Sequence, residues 1–251
     1  MIPFFEWRVI HIGPIPIQVW GLFVALGFVG ATLAGLRRAK RLGLATDRIW
    51  DLVFWFFVSA FVSARLFHVL FYDFAHYLAR PFDAINPALP GYSVIGGLLG
   101  AAAAFVICVR RWKLDFLAYA DLCMYALPLG LGIGRLGCFS IHDHPGTATS
   151  FFLGVRYPDG IVRHDHGLYL SLVGLAIFLV FSILGRKPRP AGFFLGWWLI
   201  LDGSSRFLLD FLRVADARYG GLTPTQWVLP VTVGIGTYLA VRMRFGHTSH
   251  I

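Results

Sequence analysis

Three arginines, Arg65, Arg135 and Arg206, stand inside stretches of chain otherwise apolar enough to enter a bilayer. A charge at the bilayer centre costs about 2.5–3.5 kcal/mol on insertion scales, so each needs a partner, a wet cavity or an anion. The planar guanidinium offers paired donors to phosphate and stays charged at any relevant pH. The chemistry indicated is capture of a phosphate-bearing lipid. Directly after Arg135 come Cys138, His142, Asp143 and His144, which set two imidazoles and a carboxylate beside that site as candidate bases. Asp202, Arg206 and Asp210 are four apart, so on a helix they stack along one face, where an aspartate can hold a guanidinium in a fixed direction. The same spacing suits a structural ion-pair cluster that locks helices together, and both readings stand at this point.

The elements that carry these groups follow from composition. Of 251 residues 57% are hydrophobic and 14% charged, well below the roughly 25% charged residues of soluble domains, which marks an integral membrane protein. Apolar windows near the length a spanning helix needs occur at 14–36, 50–72, 91–109, 116–139, 167–184, 192–211 and 223–241. The expected fold is all-α, a single membrane domain over 1–251 with about seven transmembrane helices. Gly91, Gly96, Gly97 and Gly100 give the third window small residues for close approach of a helix or a lipid. The glycine-rich run from Leu129 to Gly137 is expected to unwind beside a cavity at Arg135.

The net charge of +9 is not a nucleic-acid footprint, because the basic residues sit in short clusters between apolar spans. Arg37, Arg38, Lys40 and Arg41 follow the first window, Arg110, Arg111 and Lys113 the third, Arg186, Lys187 and Arg189 the fifth, Arg242 and Arg244 the seventh. These are alternate ends, which predicts a periplasmic N-terminus and a cytoplasmic C-terminus. The first twenty residues lack the pattern of a cleaved secretory signal, so the first span is expected to remain as an anchor. Residues 140–166 become a turn-rich periplasmic loop, and Arg65, Arg135 and Arg206 all fall in the outer half of the bilayer. His164-Asp165-His166, just before the fifth window, reads as a solvated loop turning into a helix. Arg163 and Tyr169 flank that helix start, at headgroup level or in the same solvated loop. The two His-Asp-His triplets carry zinc-type ligand atoms, but adjacent residues chelate poorly and zinc-motif spacing is absent, so neither metal nor cofactor is assigned.

Gly134-Arg135-Leu136-Gly137-Cys138-Phe139, followed by Asp143 and Gly146, resembles the signature of the bacterial phosphatidylglycerol–prolipoprotein diacylglyceryl transferases. Gly13-Pro14 through Trp20-Gly21-Leu22 is similar to that family's opening, Arg65 with Val69 to Tyr72 to its second span, and Gly96-Gly97-Leu98 to a diglycine in its third. Arg186 to Pro190, then Arg206, Asp210, Phe211 and Arg213, resemble its late arginine segment. The match is collinear over nearly the whole chain. It implies a monomeric inner-membrane enzyme, active at the periplasmic face, that moves the diacylglyceryl group of phosphatidylglycerol to the cysteine thiol of a prolipoprotein signal peptide and releases glycerol phosphate. Arg135 and Arg206 take the positions of essential arginines, Asp143 that of a glutamate, and Asp210 and Arg213 those of a late acid and arginine. His142 or His144 with Asp143 would assist the nucleophile, and Arg65, Gly96, Gly97, Cys138, Asp210, Arg213 and Trp20 would line the substrate site. Three positions depart from the pattern: Ile95 replaces a histidine, Cys138 an asparagine and Trp20 a tyrosine. Transfer to another acceptor, and phospholipid binding or transport without turnover, are the alternatives these departures leave open.

Overall fold

A computed structural model describes residues 1–86, 89, 91–214 and 217–245; the side chains of Val94, Arg244 and Phe245 are outside that description. Of the last basic cluster, therefore, only Arg242 is described in full. The chain is mostly helical, and each apolar window contains a helix. These are α1 (Val19–Leu42), α2 (Thr46–Phe71), α4 (Val94–Arg111), α5 (Phe116–Ile141), α6 (His166–Leu184), α7 (Phe193–Leu209) and α8 (Pro224–Phe245), with a short α3 (Phe74–Ala79) after α2. Among the described residues, α1, α2, α5 and α6 are long and apolar enough to cross a membrane. Of these, α2 carries Phe54, Phe57 and Leu66 and α6 carries Leu179, each more than half exposed. Such a surface suits lipid rather than water.

The all-α expectation needs correction. Strands β2 (Val9–Ile12) and β3 (Ile15–Gln18) form an antiparallel hairpin, and β1 (Ile2–Pro3), β4 (Pro145–Ala148), β5 (Val155–Arg156) and β6 (Val162–Asp165) form a sheet in the order β1-β5-β6-β4. The hairpin turns at Gly13, whose φ of +61° is the left-handed region that glycine occupies at little cost. Because Ile15 to Gln18 pair as a strand, α1 starts at Val19 rather than near residue 14.

The chain forms two compact units, one of residues 1–35 and 120–251, the other of residues 36–119. In the smaller unit α4 packs on α2 through its glycines. A Cβ on Gly100 would meet the Ser59 carbonyl oxygen at 2.5 Å, and one on Gly96 the Ser63 carbonyl oxygen at the same distance. Gly97 faces Ala60 and Ala64 at ordinary contact distance. Helix approach is thus what the diglycine does here.

In the larger unit α5 runs unbroken from Phe116 to Ile141, so the expected unwinding of 129–137 does not occur. Its glycines let neighbours close in instead. A Cβ on Gly132 would meet the Leu175 backbone nitrogen at 3.0 Å, one on Gly174 the Pro128 carbonyl oxygen at 2.9 Å, and Ser171 donates its hydroxyl to the Gly132 carbonyl oxygen at 2.8 Å. Tyr125, Ile177, Phe181, Phe194 and Trp198 form the buried cluster that joins α5, α6 and α7. Asp121, near the start of α5, accepts the backbone N–H groups of Phe194 and Leu195 at 2.5 and 3.0 Å. It caps α7, whose own N-cap residue Gly192 has no side chain to do so.

Candidate active site

Helix α5 ends at Ile141, and the chain turns at His142, which takes a left-handed φ of +48°. A non-glycine residue there costs about 1–2 kcal/mol, and the compensation is visible. His142 Nδ1 lies 2.6 Å from Asp165 Oδ2, with both side chains 1% exposed. The other Asp165 oxygen accepts the Leu168 N–H at 2.9 Å and so caps α6. One buried carboxylate therefore fixes both the turn after α5 and the start of α6. The imidazole is packed against the rings of Phe4, Phe5, Phe139 and Tyr157. Tyr157 donates its hydroxyl to Asp165 at 3.4 Å, and burial together with that carboxylate pushes its pKa up.

The pairing corrects two expectations. His142 takes its carboxylate from Asp165, while Asp143 pairs with His144 at 2.5 Å. The second triplet is not a solvated loop, because Asp165 and His166 are buried. His164 hydrogen-bonds the Tyr169 hydroxyl at 2.7 Å, and Arg163 pairs with Asp159. Hydrogen bonding to Asp143 and then to Cys138 raises the His144 pKa to about 9, so at neutral pH this group carries a positive charge.

Around His166, the first residue of α6, the cations gather. Arg213, Arg135, His144 and Arg206 all lie near enough for their charges to bear on it. His166 Nε2 is 3.5 Å from Asp210 Oδ1, and Arg213 Nη1 is 3.8 Å from the same oxygen. Asp210 Oδ2 accepts the Thr223 hydroxyl at 2.9 Å. Thr223 and Gln226 bond reciprocally through side chain and backbone, a capping box that starts α8 with Pro224 as its first residue. Gly146 pairs with Arg213 across an isolated bridge, and a Cβ there would meet the Leu212 carbonyl oxygen at 2.7 Å. Only a residue without a side chain lets β4 pass this close and hold Arg213 beside the cluster.

Within it the arginines differ. Arg206 donates Nε to Asp202 at 2.7 Å, the spacing of one helical turn expected from the sequence. Arg135, half-buried, donates to the Cys138 sulfur at 3.8 Å, and among the described residues no carboxylate lies within ion-pair distance of it. Its remaining donors are available to an anion. Trp20, half-exposed at the start of α1, packs its backbone against Gly137 and lines a pocket of about 300 Å³ with Phe4, Gln18, His142, Asp143 and Tyr157.

Arg65 belongs to the other unit and has a different task. Its five N–H groups reach the backbone carbonyls of Asp83, Ala84, Asn86, Leu89 and Gly91 at 2.6–3.4 Å. Its guanidinium carbon also sits 5.2 and 5.3 Å from the ring centres of Tyr77 and Tyr92. A phosphate would have to displace these carbonyls, so Arg213 rather than Arg65 stands as the third arginine of the cluster. The sequence placed Asp165 and His166 at a helix start without assigning them to the site; the local signal was the position of Asp165 as an N-cap three residues before Leu168.

The sequence profile of the family described as prolipoprotein diacylglyceryl transferase matches residues 8–242. The chain is 36% identical over 215 residues to the phosphatidylglycerol–prolipoprotein diacylglyceryl transferase of Geobacter sulfurreducens, covering 84% of this chain and 83% of that one. It is 36% identical over 216 residues to the enzyme of the same name from Pseudoalteromonas atlantica, 84% and 77% covered, and 32% identical over 240 residues to that of Nitrosospira multiformis, 93% and 81% covered. With a match of this extent, the chain belongs to the prolipoprotein diacylglyceryl transferase family.

Proposed function

We propose that the protein transfers the diacylglyceryl group of phosphatidylglycerol to the lipobox cysteine thiol of a prolipoprotein and releases glycerol phosphate. The reading rests on family membership, and the observation that ties it to particular residues is Arg135, which among the described residues has no carboxylate within ion-pair distance and stands in a cluster with Arg206, Arg213 and His144. Charge develops on phosphate as the C–O bond breaks. Fixed cations in a site shielded from water stabilise that charge without reorganisation, and removal of one such donor costs about 10²–10³ in turnover. Arg135 and Arg206 hold the phosphate, Asp210 directs Arg213, and Asp143 with His144 stands where the thiol approaches. His142 is held behind them by Asp165.

The membrane arrangement proposed with this reading has seven spans in the inner membrane, with the N-terminus and the cluster on the periplasmic side. Alternate basic clusters support it. So does the cluster's position at the end of α5 and the start of α6, while Asp121 and its α7 cap lie at the other end of α5. Incubating the purified protein with labelled phosphatidylglycerol and a lipobox peptide tests the function. Thioether-linked diacylglyceryl on the cysteine is the expected product; lipid bound without any transfer would defeat the reading. Ile95, more than half exposed on α4, occupies the position of a family histidine. If Ile95→His is needed before a lipobox peptide is accepted, transfer to a different acceptor becomes the better account.

A further inference from the structure

We propose that Cys138, Asp143 and His144 form a binding site for a zinc-class divalent cation, whose open coordination position takes the acceptor thiolate. The second half rests on the transfer reading above; the first does not. The thiol sulfur, a carboxylate oxygen and an imidazole nitrogen of these three residues all lie within 4.8 Å of one another. Zinc binds such atoms at about 2.0–2.3 Å, so ligands of one tetrahedral ion stand about 3.3–3.8 Å apart; the ion takes the place of the hydrogen bonds that His144 makes to Asp143 and Cys138, and side-chain rotation opens the close His144–Asp143 pair. Three protein ligands leave a fourth tetrahedral position for a substrate atom.

The sequence argued against a metal because Asp143 and His144 are adjacent and no zinc spacing is present. The fold supplies what spacing does not. The left-handed turn at His142, pinned by Asp165, brings Asp143 and His144 back over the last turn of α5, where Cys138 is buried. His144 is held a second time, its carbonyl oxygen accepting the His166 N–H at 3.2 Å. The ligands thus come from a helix and from a loop fixed at both ends, as a site held in advance of its ion requires.

Charge is also consistent. Loading releases the imidazolium proton of His144 and the thiol proton of Cys138 to water; the thiolate and the Asp143 carboxylate then neutralise the divalent cation, so the loaded site adds no net charge beside Arg135, whose Nη1 is 3.8 Å from the Cys138 sulfur. With a bound acceptor thiolate the site becomes singly negative next to that guanidinium, which stabilises it. On coordination the acceptor S–H proton passes to water in the pocket that Asp143 lines. The sulfur then forms its bond to the glyceryl carbon, the carbon–oxygen bond to phosphate breaks, and the electron pair leaves with glycerol phosphate. The product is a neutral thioether, a weaker ligand, and departs.

The test uses the full-length protein in detergent, stripped with chelator and titrated first with Co²⁺ and then with Zn²⁺. One Co²⁺ per chain with a thiolate-to-cobalt absorption band, displaced by Zn²⁺, is expected. Cys138→Ser should abolish the band, and both it and His144→Gln should weaken binding at least about tenfold, since even outer hydrogen-bond partners of a metal site are worth that much. His11→Gln, on the exposed hairpin, should change neither. A lipobox peptide with cysteine should intensify the band and the same peptide with serine should not. Absence of stoichiometric Co²⁺, or binding indifferent to both ligand variants, overturns the site. Binding with no response to the cysteine peptide, or full-rate transfer by metal-free protein, overturns the cation's role in transfer. An intact Co²⁺ site that responds to the peptide in a protein that transfers no lipid supports the site and defeats the proposed function alone.

Discussion

Two arginines in apolar helices, Arg65 in α2 and Arg135 in α5, meet the same cost of burial in opposite ways. Arg65 is surrounded by the chain's own backbone, each of its five donors on a carbonyl of residues 83–91. Arg135 has one long contact to sulfur and stands among other cations. The first arrangement is complete and organises a loop. The second is incomplete: Arg206, Arg213 and His144 each have a carboxylate, Asp202, Asp210 and Asp143, whereas Arg135 has none within ion-pair distance among the described residues, which leaves its donors for an anion. An intramembrane arginine is therefore read by how its donors are used, not by its presence.

The largest effect expected from this contrast is on turnover. Arg135→Gln should lower transfer by about 10²–10³ with little change in thermal stability, because it removes a transition-state donor and no strong native bond. Assays of lipid transfer beside a melting curve in detergent check both halves. Arg65→Gln should reverse the pattern. It breaks a fully bonded buried charge, so denaturant titration should show a loss of about 3–5 kcal/mol, while turnover per folded molecule stays within tenfold of the parent.

Smaller effects sharpen the picture within the larger unit. Thr223→Val removes the capping box of α8 and a hydrogen bond to Asp210 together, at a cost of about 1–2 kcal/mol. Because Asp210 also faces Arg213 and His166, activity should fall as well, but less than in Arg135→Gln. Asp121→Ala should cost about 1 kcal/mol through the lost cap on α7 and leave turnover per folded molecule unchanged, since it lies at the far end of α5 from the cluster. Equal losses of activity in the Asp121 and Thr223 variants would break the distinction between cap and site.

What the sequence made legible depended on range. The helices within the seven apolar windows were readable because apolar runs mark them, and the Asp202–Arg206 bond because four residues is about one helical turn. The strands were not, since they run two to four residues and β1 pairs with β5 across most of the chain. The carbonyl nest around Arg65 and the His142–Asp165 pair, 23 residues apart, are set by chain paths that no local pattern encodes. The glycines of α5 looked like a break because composition reports small residues, whereas Gly132 lies against the backbone of α6 and Gly130 and Gly137 against that of α1. Thr223-Pro224-Thr225-Gln226 has capping-box spacing, but the hydrogen bond from Thr223 to Asp210 depends on the fold.

Native mass spectrometry of phosphatidylglycerol carried by the parent protein, Arg135→Gln and Arg65→Gln reaches the central point most directly. The account predicts bound phosphatidylglycerol in the parent and in folded Arg65→Gln, and its loss in Arg135→Gln. Retention of the lipid by Arg135→Gln, or its loss from a folded Arg65→Gln, would contradict it.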